Sequence, residues 1–189
     1  IPAAISPLPR LDIAAILCVA AMTIAEAAHA PDAAVSALAA LAAAANLARL
    51  ARWRGHLTLR WPLLWVLQLG MAWLVAGLTL KAAASFGLVP EVSALHALGA
   101  GAIGTMILAV MTRATLGHTG RELVAVPGSA VAYLSVSAGA LLRVIAPLLP
   151  DAQIVLTVAG GAVWATGFVV FLWLCGLMLL SPRPDGRDG

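Results

Sequence analysis

Side chains able to bind a metal or move a proton are sparse in this sequence: four histidines, two cysteines and eight carboxylates among 189 residues. Their densest stretch runs from His96 to Arg121, HALGAGAIGTMILAVMTRATLGHTGR, where two histidines and two arginines bracket an apolar span. An imidazole in lipid needs a partner, because unpaired polar groups are expensive there and turn toward the bundle interior. His96 therefore reads either as a metal or cofactor ligand or as a histidine satisfied by its neighbours. His118, set between Gly117 and Gly120, is the second candidate ligand. Arg113 and Arg121 around it suit a cofactor carboxylate held through paired hydrogen bonds, and equally suit ordinary positive charge at a membrane face. Glu26 and His29 are three apart and share a helical face, a spacing that serves metal ligation in bundles and also a solvated helix end. Arg143 either snorkels to its surface or balances Glu26 or a cofactor carboxylate.

Other candidates read more simply. Cys18 and Cys175 each fall in an apolar span at no metal-ligand spacing, so both are expected to be free thiols acting as small hydrophobes. Met106 and Met111 read as packing residues before they read as soft copper ligands. Gly99 to Gly104 matches GxGxxG literally, but it lies inside an apolar span with no strand before it, so it is no dinucleotide fingerprint. It reads instead as a smooth helix face for another helix or for a porphyrin. Serines are scattered and no carboxylates are paired, so no catalytic group is assigned, and whether the chain is an enzyme stays open.

The elements that must carry these residues follow from composition. With 62% hydrophobic and 10% charged residues, and a mean hydropathy of +1.01, the chain reads as an integral membrane protein. Alanine, leucine and valine dominate without the alternation of a barrel strand, which makes the expected fold all-α, a polytopic membrane bundle. Spanning hydrocarbon takes about 20 apolar residues. Six segments qualify and predict one transmembrane domain over residues 1 to 189: 11 to 29, 33 to 51, 63 to 81, 91 to 111, 130 to 149 and 152 to 180.

Arg10, Arg49, Arg52, Arg54, Arg60, Arg113, Arg121, Arg183 and Arg187 all fall on one side of this arrangement, and only Lys81 and Arg143 on the other. Positive charge is retained in the cytoplasm, so both termini of the chain are expected there, with Trp53, Trp61 and Trp65 as interfacial anchors. Pro31-Asp32, Pro90-Glu91 and Pro150-Asp151 recur on the opposite side and predict helix starts, with proline at the first helical position and an acid near the positive helix end. A net charge of +3 comes without any basic stripe interleaved with aromatics, and nucleic acid is excluded as a partner. Residues 1 to 10 carry three prolines but no signal-peptide pattern, and the chain is read as a piece of a longer protein.

From Ala94 to Leu123, ALHALGAGAIGTMILAVMTRATLGHTGREL, the sequence resembles the NnrS family of bacterial membrane proteins linked to the nitric oxide response. WPLLWVLQLGMAWLVAGL from Trp61 and LLRVIAPLLP from Leu141 extend the similarity over nearly the whole chain. The resemblance implies a polytopic protein of the bacterial inner membrane that contains haem and copper and helps cells tolerate nitric oxide and nitrosative stress. This chain looks like its C-terminal half, about six of roughly twelve spans. His96 and His118 match the family's motif positions. The implied assignment makes His96 the first metal ligand and His118 the second, with Arg113 and Arg121 on a cofactor carboxylate and Glu26 with His29 as a third choice.

Two departures accompany the resemblance. Where relatives commonly read HLGYAW, this chain has Gln68-Leu69-Gly70-Met71-Ala72-Trp73, and the histidine-rich segment of the family's first half is not in it. A complete metal site would then draw on that missing N-terminal half or on another subunit. Membrane lipid and a small diatomic such as nitric oxide are the other implied partners. The alternative reading is a small-solute carrier or channel subunit in which Glu26, His96 and Arg143 line a polar path.

Overall fold

The computed structural model describes residues 9–184 and residue 186. The expectations placed on residues 1–8 and on Arg187 lie outside the described residues. Six long helices follow one another, and no strand is present among the described residues. We number them α1 (Pro9–Ala27), α2 (Asp32–Arg52), α3 (Pro62–Ala84), α4 (Glu91–His118), α5 (Ser129–Ile145) and α6 (Gln153–Leu180). Five segments are long and apolar enough to cross a membrane: α2, α3, α4, and α5 and α6 with their flanking turns. α1 is not among them, since its 19 residues include Arg10, Asp12 and Glu26.

Helix starts follow the proline logic with one shift. Pro62 opens α3 from within its first turn, where a missing N–H leaves nothing unpaired. Pro31 and Pro90 instead stand one residue before α2 and α4, leaving Asp32 and Glu91 in the first turn beside the positive helix end. Pro150 begins a short 3-10 turn, Pro150–Ala152, ahead of α6. α4 runs on to His118, beyond the expected stop near Met111. In its polar last turns the hydroxyls are satisfied locally, Thr112 donating to the Leu108 carbonyl at 2.8 Å and Thr119 to the Thr115 carbonyl at 2.6 Å.

Two cores hold the bundle. Met22, Val35, Ala39, Ala42, Ala43 and Leu78 join α1, α2 and α3, while Val66, Leu108, Tyr133, Val136 and Phe171 join α3, α4, α5 and α6. α5 and α6 approach backbone to backbone at Gly139, where a Cβ would come within 2.5 Å of the Trp164 nitrogen. The outer face of α6 is apolar and open, with Ile154, Trp173 and Leu177 exposed as lipid-facing positions require. Of the expected anchors, Trp61 is exposed and Trp53 lies under the Arg49 guanidinium. Trp65 turns inward, its ring edge-on to Tyr133 at 5.7 Å.

Candidate cofactor site

His96 sits at the end of the second turn of α4, half-buried against α5. Its Nδ1 lies 2.8 Å from the Arg143 carbonyl. A carbonyl only accepts, so Nδ1 carries the ring proton and Nε2 of the neutral ring keeps its lone pair. The Arg143 guanidinium approaches that lone pair, Nη2 to Nε2 at 3.4 Å. One turn earlier Ser93, fully buried, donates to the Val144 carbonyl at 3.0 Å. The start of α4 is thus fastened to the end of α5 by two side chains, and the imidazole is fixed in tautomer and orientation.

Directly after His96 the helix widens. Ala97–Ile103 is a π turn in which the Gly104 amide donates to the Gly99 carbonyl five residues back. Such turns are rare and present carbonyls to partners outside the helix. Here the Trp164 indole donates to the Ala100 carbonyl at 3.0 Å, and the Trp73 indole donates to Ser137 Oγ at 2.7 Å. The small residues make this possible: a Cβ at Gly101 would meet the Trp73 ring at 2.5 Å, and one at Gly104 would meet Trp164 Nε1 at 2.9 Å. The flat groups seated on the GAGAIG face are therefore two tryptophans. Only Gly99 in this run opens on nothing within 4 Å.

The other candidate residues lie elsewhere. His118 is exposed at the far end of α4, 22 residues on from His96 by their numbers, which is roughly 33 Å at the helical rise. The two imidazoles cannot share an ion. The His118 carbonyl accepts Arg183 Nη1 at 2.8 Å, Arg113 donates to the Leu63 carbonyl at 3.1 Å, and Arg121 donates to the Thr119 carbonyl at 3.3 Å. Arg113 is 17 residues from His96 by number, a distance no single porphyrin bridges. His118, Arg113 and Arg121 thus form a basic end, opposite His96.

Glu26 and His29 share a cavity of about 410 Å³ with Asp32, Lys81 and Glu91. His29 takes a left-handed backbone, φ 52°, in the turn between α1 and α2. Glu26 does not reach His96 or Arg143 through any hydrogen bond; its carboxylate takes the Lys81 ammonium, which also donates to Glu91 at 2.5 Å. Lys81 and Glu91 are what the sequence reading passed over, having taken one as topology and the other as a helix start. The signal was present in Pro90-Glu91 and in a lysine at the end of an apolar span.

Asn46 bonds within its own helix, donating to the Ala42 carbonyl and accepting from Arg49. Gln68 buries its Oε1 with no hydrogen-bond partner among the described residues.

The donor set can be tested against the two implied groups. Among the described residues no three His, Cys, Asp or Glu side chains are grouped to hold a metal ion, so a copper centre with protein ligands alone is not built by them. Haem iron would need only one or two ligands from the protein. His96 has the chemistry such a ligand would need: its proton is committed to a carbonyl, as in metal-bound histidines generally, and its lone pair is met by the Arg143 guanidinium at 3.4 Å, which a haem carboxylate could draw aside.

Apolar helices of membrane-spanning length, packed around inward-turned indoles and an imidazole, define a polytopic helical membrane protein. It belongs to the NnrS family: the family described as NnrS protein matches residues 2–183. No curated protein and no solved structure matches the chain.

Proposed function

We propose that the protein binds haem in the membrane, in company with copper, and serves the bacterial response to nitric oxide and nitrosative stress from the inner membrane. Membership of the NnrS family supports the setting. The observation that carries the reading is His96, whose Nδ1–H is held by the Arg143 carbonyl so that Nε2 is presented as a ligand. Bound haem would supply an iron atom able to take a small diatomic such as nitric oxide.

The chain's own residues do the rest. The Arg143 carbonyl fixes the ring's tautomer, and the Arg143 guanidinium provides positive charge for a propionate. Trp73 and Trp164 lock the π turn that follows His96, so the ring is carried on a rigid helix. His118, at the end of α4, and Arg121, just beyond it, are too far from His96 to touch the same iron. Copper is assigned to ligands contributed from outside the described residues.

The test is the visible spectrum and metal content of the purified full chain, alone and with its His96→Ala and His118→Ala variants. Wild type is expected to show a Soret band that shifts with nitric oxide, and His96→Ala to lose haem affinity by about tenfold or more. His118→Ala should keep that band. Equal haem content in wild type and His96→Ala overturns the assignment, and solute uptake into liposomes without any chromophore favours the carrier reading.

A further inference from the structure

A second cavity, of about 500 Å³, opens at the basic end. The first turn of α3, the end of α4 and the connection from α4 into α5 enclose it. Arg60 and Arg113 are its only charged lining residues, and Leu63, Leu64, Val124 and Val126 give it apolar walls. Arg113 spends one N–H on the Leu63 carbonyl. Its other donors, and the whole Arg60 side chain, have no further hydrogen-bond or ion-pair partner among the described residues. Two guanidinium groups thus border an apolar cleft that offers them no protein anion.

The surroundings place this cleft at headgroup depth. It lies where apolar α3 begins, beside Trp61, an exposed indole of the kind that settles at membrane interfaces. The connection forming one wall exposes Leu123 and Val124, 59% and 65% accessible. That composition is unsuited to bulk water but suited to the upper acyl chains of a bilayer. No residue lining the cleft carries an imidazole, thiol, thioether or phenol, so nothing there can ligate iron or copper. An amphiphile with an anionic head and no metal matches both halves of the lining.

We propose that this cleft is a binding site for an anionic phospholipid, its phosphate held between Arg60 and Arg113 and an acyl chain laid along Leu63, Leu64, Val124 and Val126. Arginine suits the head because its planar fork offers paired donors to phosphate oxygens. Basic pockets at the ends of membrane helices hold such headgroups against exchange with the bulk lipid. The site is separate from His96 and does not depend on haem binding.

The experiment is native mass spectrometry of the full chain released from nanodiscs of equal phosphatidylglycerol and phosphatidylcholine with matched acyl chains. Retained phosphatidylglycerol is expected to exceed phosphatidylcholine on the order of tenfold. The Arg60→Gln/Arg113→Gln variant should bring the ratio close to one, while Arg54→Gln, outside the cleft, leaves it unchanged. Because the Arg113 contact with α3 also fastens two helices, Ala130→Leu provides an independent check. It fills the cleft with both arginines intact and should likewise abolish the preference. Equal retention of the two lipids by wild type, an unchanged ratio in both cleft variants, or replacement of the phospholipid by added oleate each overturns the proposal. Haem content of the cleft variants is expected to match wild type, which separates this site from the one at His96.

Discussion

Lys81 shows how a charge is made tolerable in this bundle. It is 7% exposed near the end of α3, and its ammonium is shared between Glu26 of α1 and Glu91 of α4. Both carboxylates remain about half open to solvent, whereas the lysine side chain is only 8% exposed, at the wall of the cavity they share. The three groups are therefore unequal: each acid exchanges its partner for hydration far more readily than the lysine does. Glu26→Gln or Glu91→Gln alone is expected to lower stability by less than about 1 kcal/mol, as for other solvent-screened pairs. The double variant strands a buried cation and should lose roughly 3 kcal/mol, more than the sum of the singles. Adding Lys81→Met to it should return most of that loss. Thermal unfolding of the detergent-solubilised chain decides the matter, and simple additivity of the two substitutions would sink it. His96 and Lys81 were both visible in the sequence as polar groups in apolar spans. Their partners were not, because Arg143 is 47 positions from His96 and Glu26 is 55 from Lys81. Pairing at that range depends on helix register, which periodicity along one helix does not encode.

At the level of the helices, length was legible because hydrocarbon thickness sets it. Prolines and the apolar windows located α2, α3 and α6 to within a few residues of their observed ends. The continuation of α4 past Met111 was hidden, since Thr112, Thr115 and Thr119 reduce hydropathy, while the hydroxyls of Thr112 and Thr119 are satisfied by carbonyls one turn back and so do not stop the chain there. The π turn was hidden for a different reason: composition records that residues are small, not that a hydrogen bond skips one more position. GAGAIG announced close approach without naming what approaches. The structure divides its glycines, and the division is testable. Gly101→Ala drives a methyl to within 2.5 Å of the Trp73 ring, which its bond to Ser137 prevents from swinging away. That substitution is expected to destabilise by about 1–3 kcal/mol, as overpacking does elsewhere. Gly99→Ala meets nothing within 4 Å and should be neutral or slightly stabilising, since alanine restricts the unfolded chain. Unfolding temperatures of the two variants measured side by side provide the check, and equal losses would mean that the ring does not hold the turn.

Over the whole molecule, charge is sorted by end. Asp12 of α1 pairs with Arg49 of α2 at 2.7 Å, and Arg183 beyond α6 reaches the His118 carbonyl at 2.8 Å. These contacts gather the first and last helices at the arginine-rich end, alongside Arg54, Arg60, Arg113 and Arg121. At the opposite end the two exceptions to the charge rule are both occupied. Lys81 is matched by two carboxylates, and Arg143 lies against an imidazole. Each is held by its neighbours, and the count of basic residues by itself already favours the arginine-rich end as the one retained inside. The arginine-rich end is accordingly expected in the cytoplasm. A fluorescent reporter joined after residue 184 should fluoresce, and a phosphatase joined there should stay inactive. The same phosphatase placed in the connection between α3 and α4 should be active. Phosphatase activity at the first position would invert the molecule and move the phospholipid cleft to the outer leaflet. Because the arginines of the cleft are also part of the charge set expected to hold this end inside, lipid binding and orientation would draw on the same residues. The Arg60→Gln/Arg113→Gln chain should therefore be checked for both, with orientation retained because Arg49, Arg52, Arg54 and Arg121 remain.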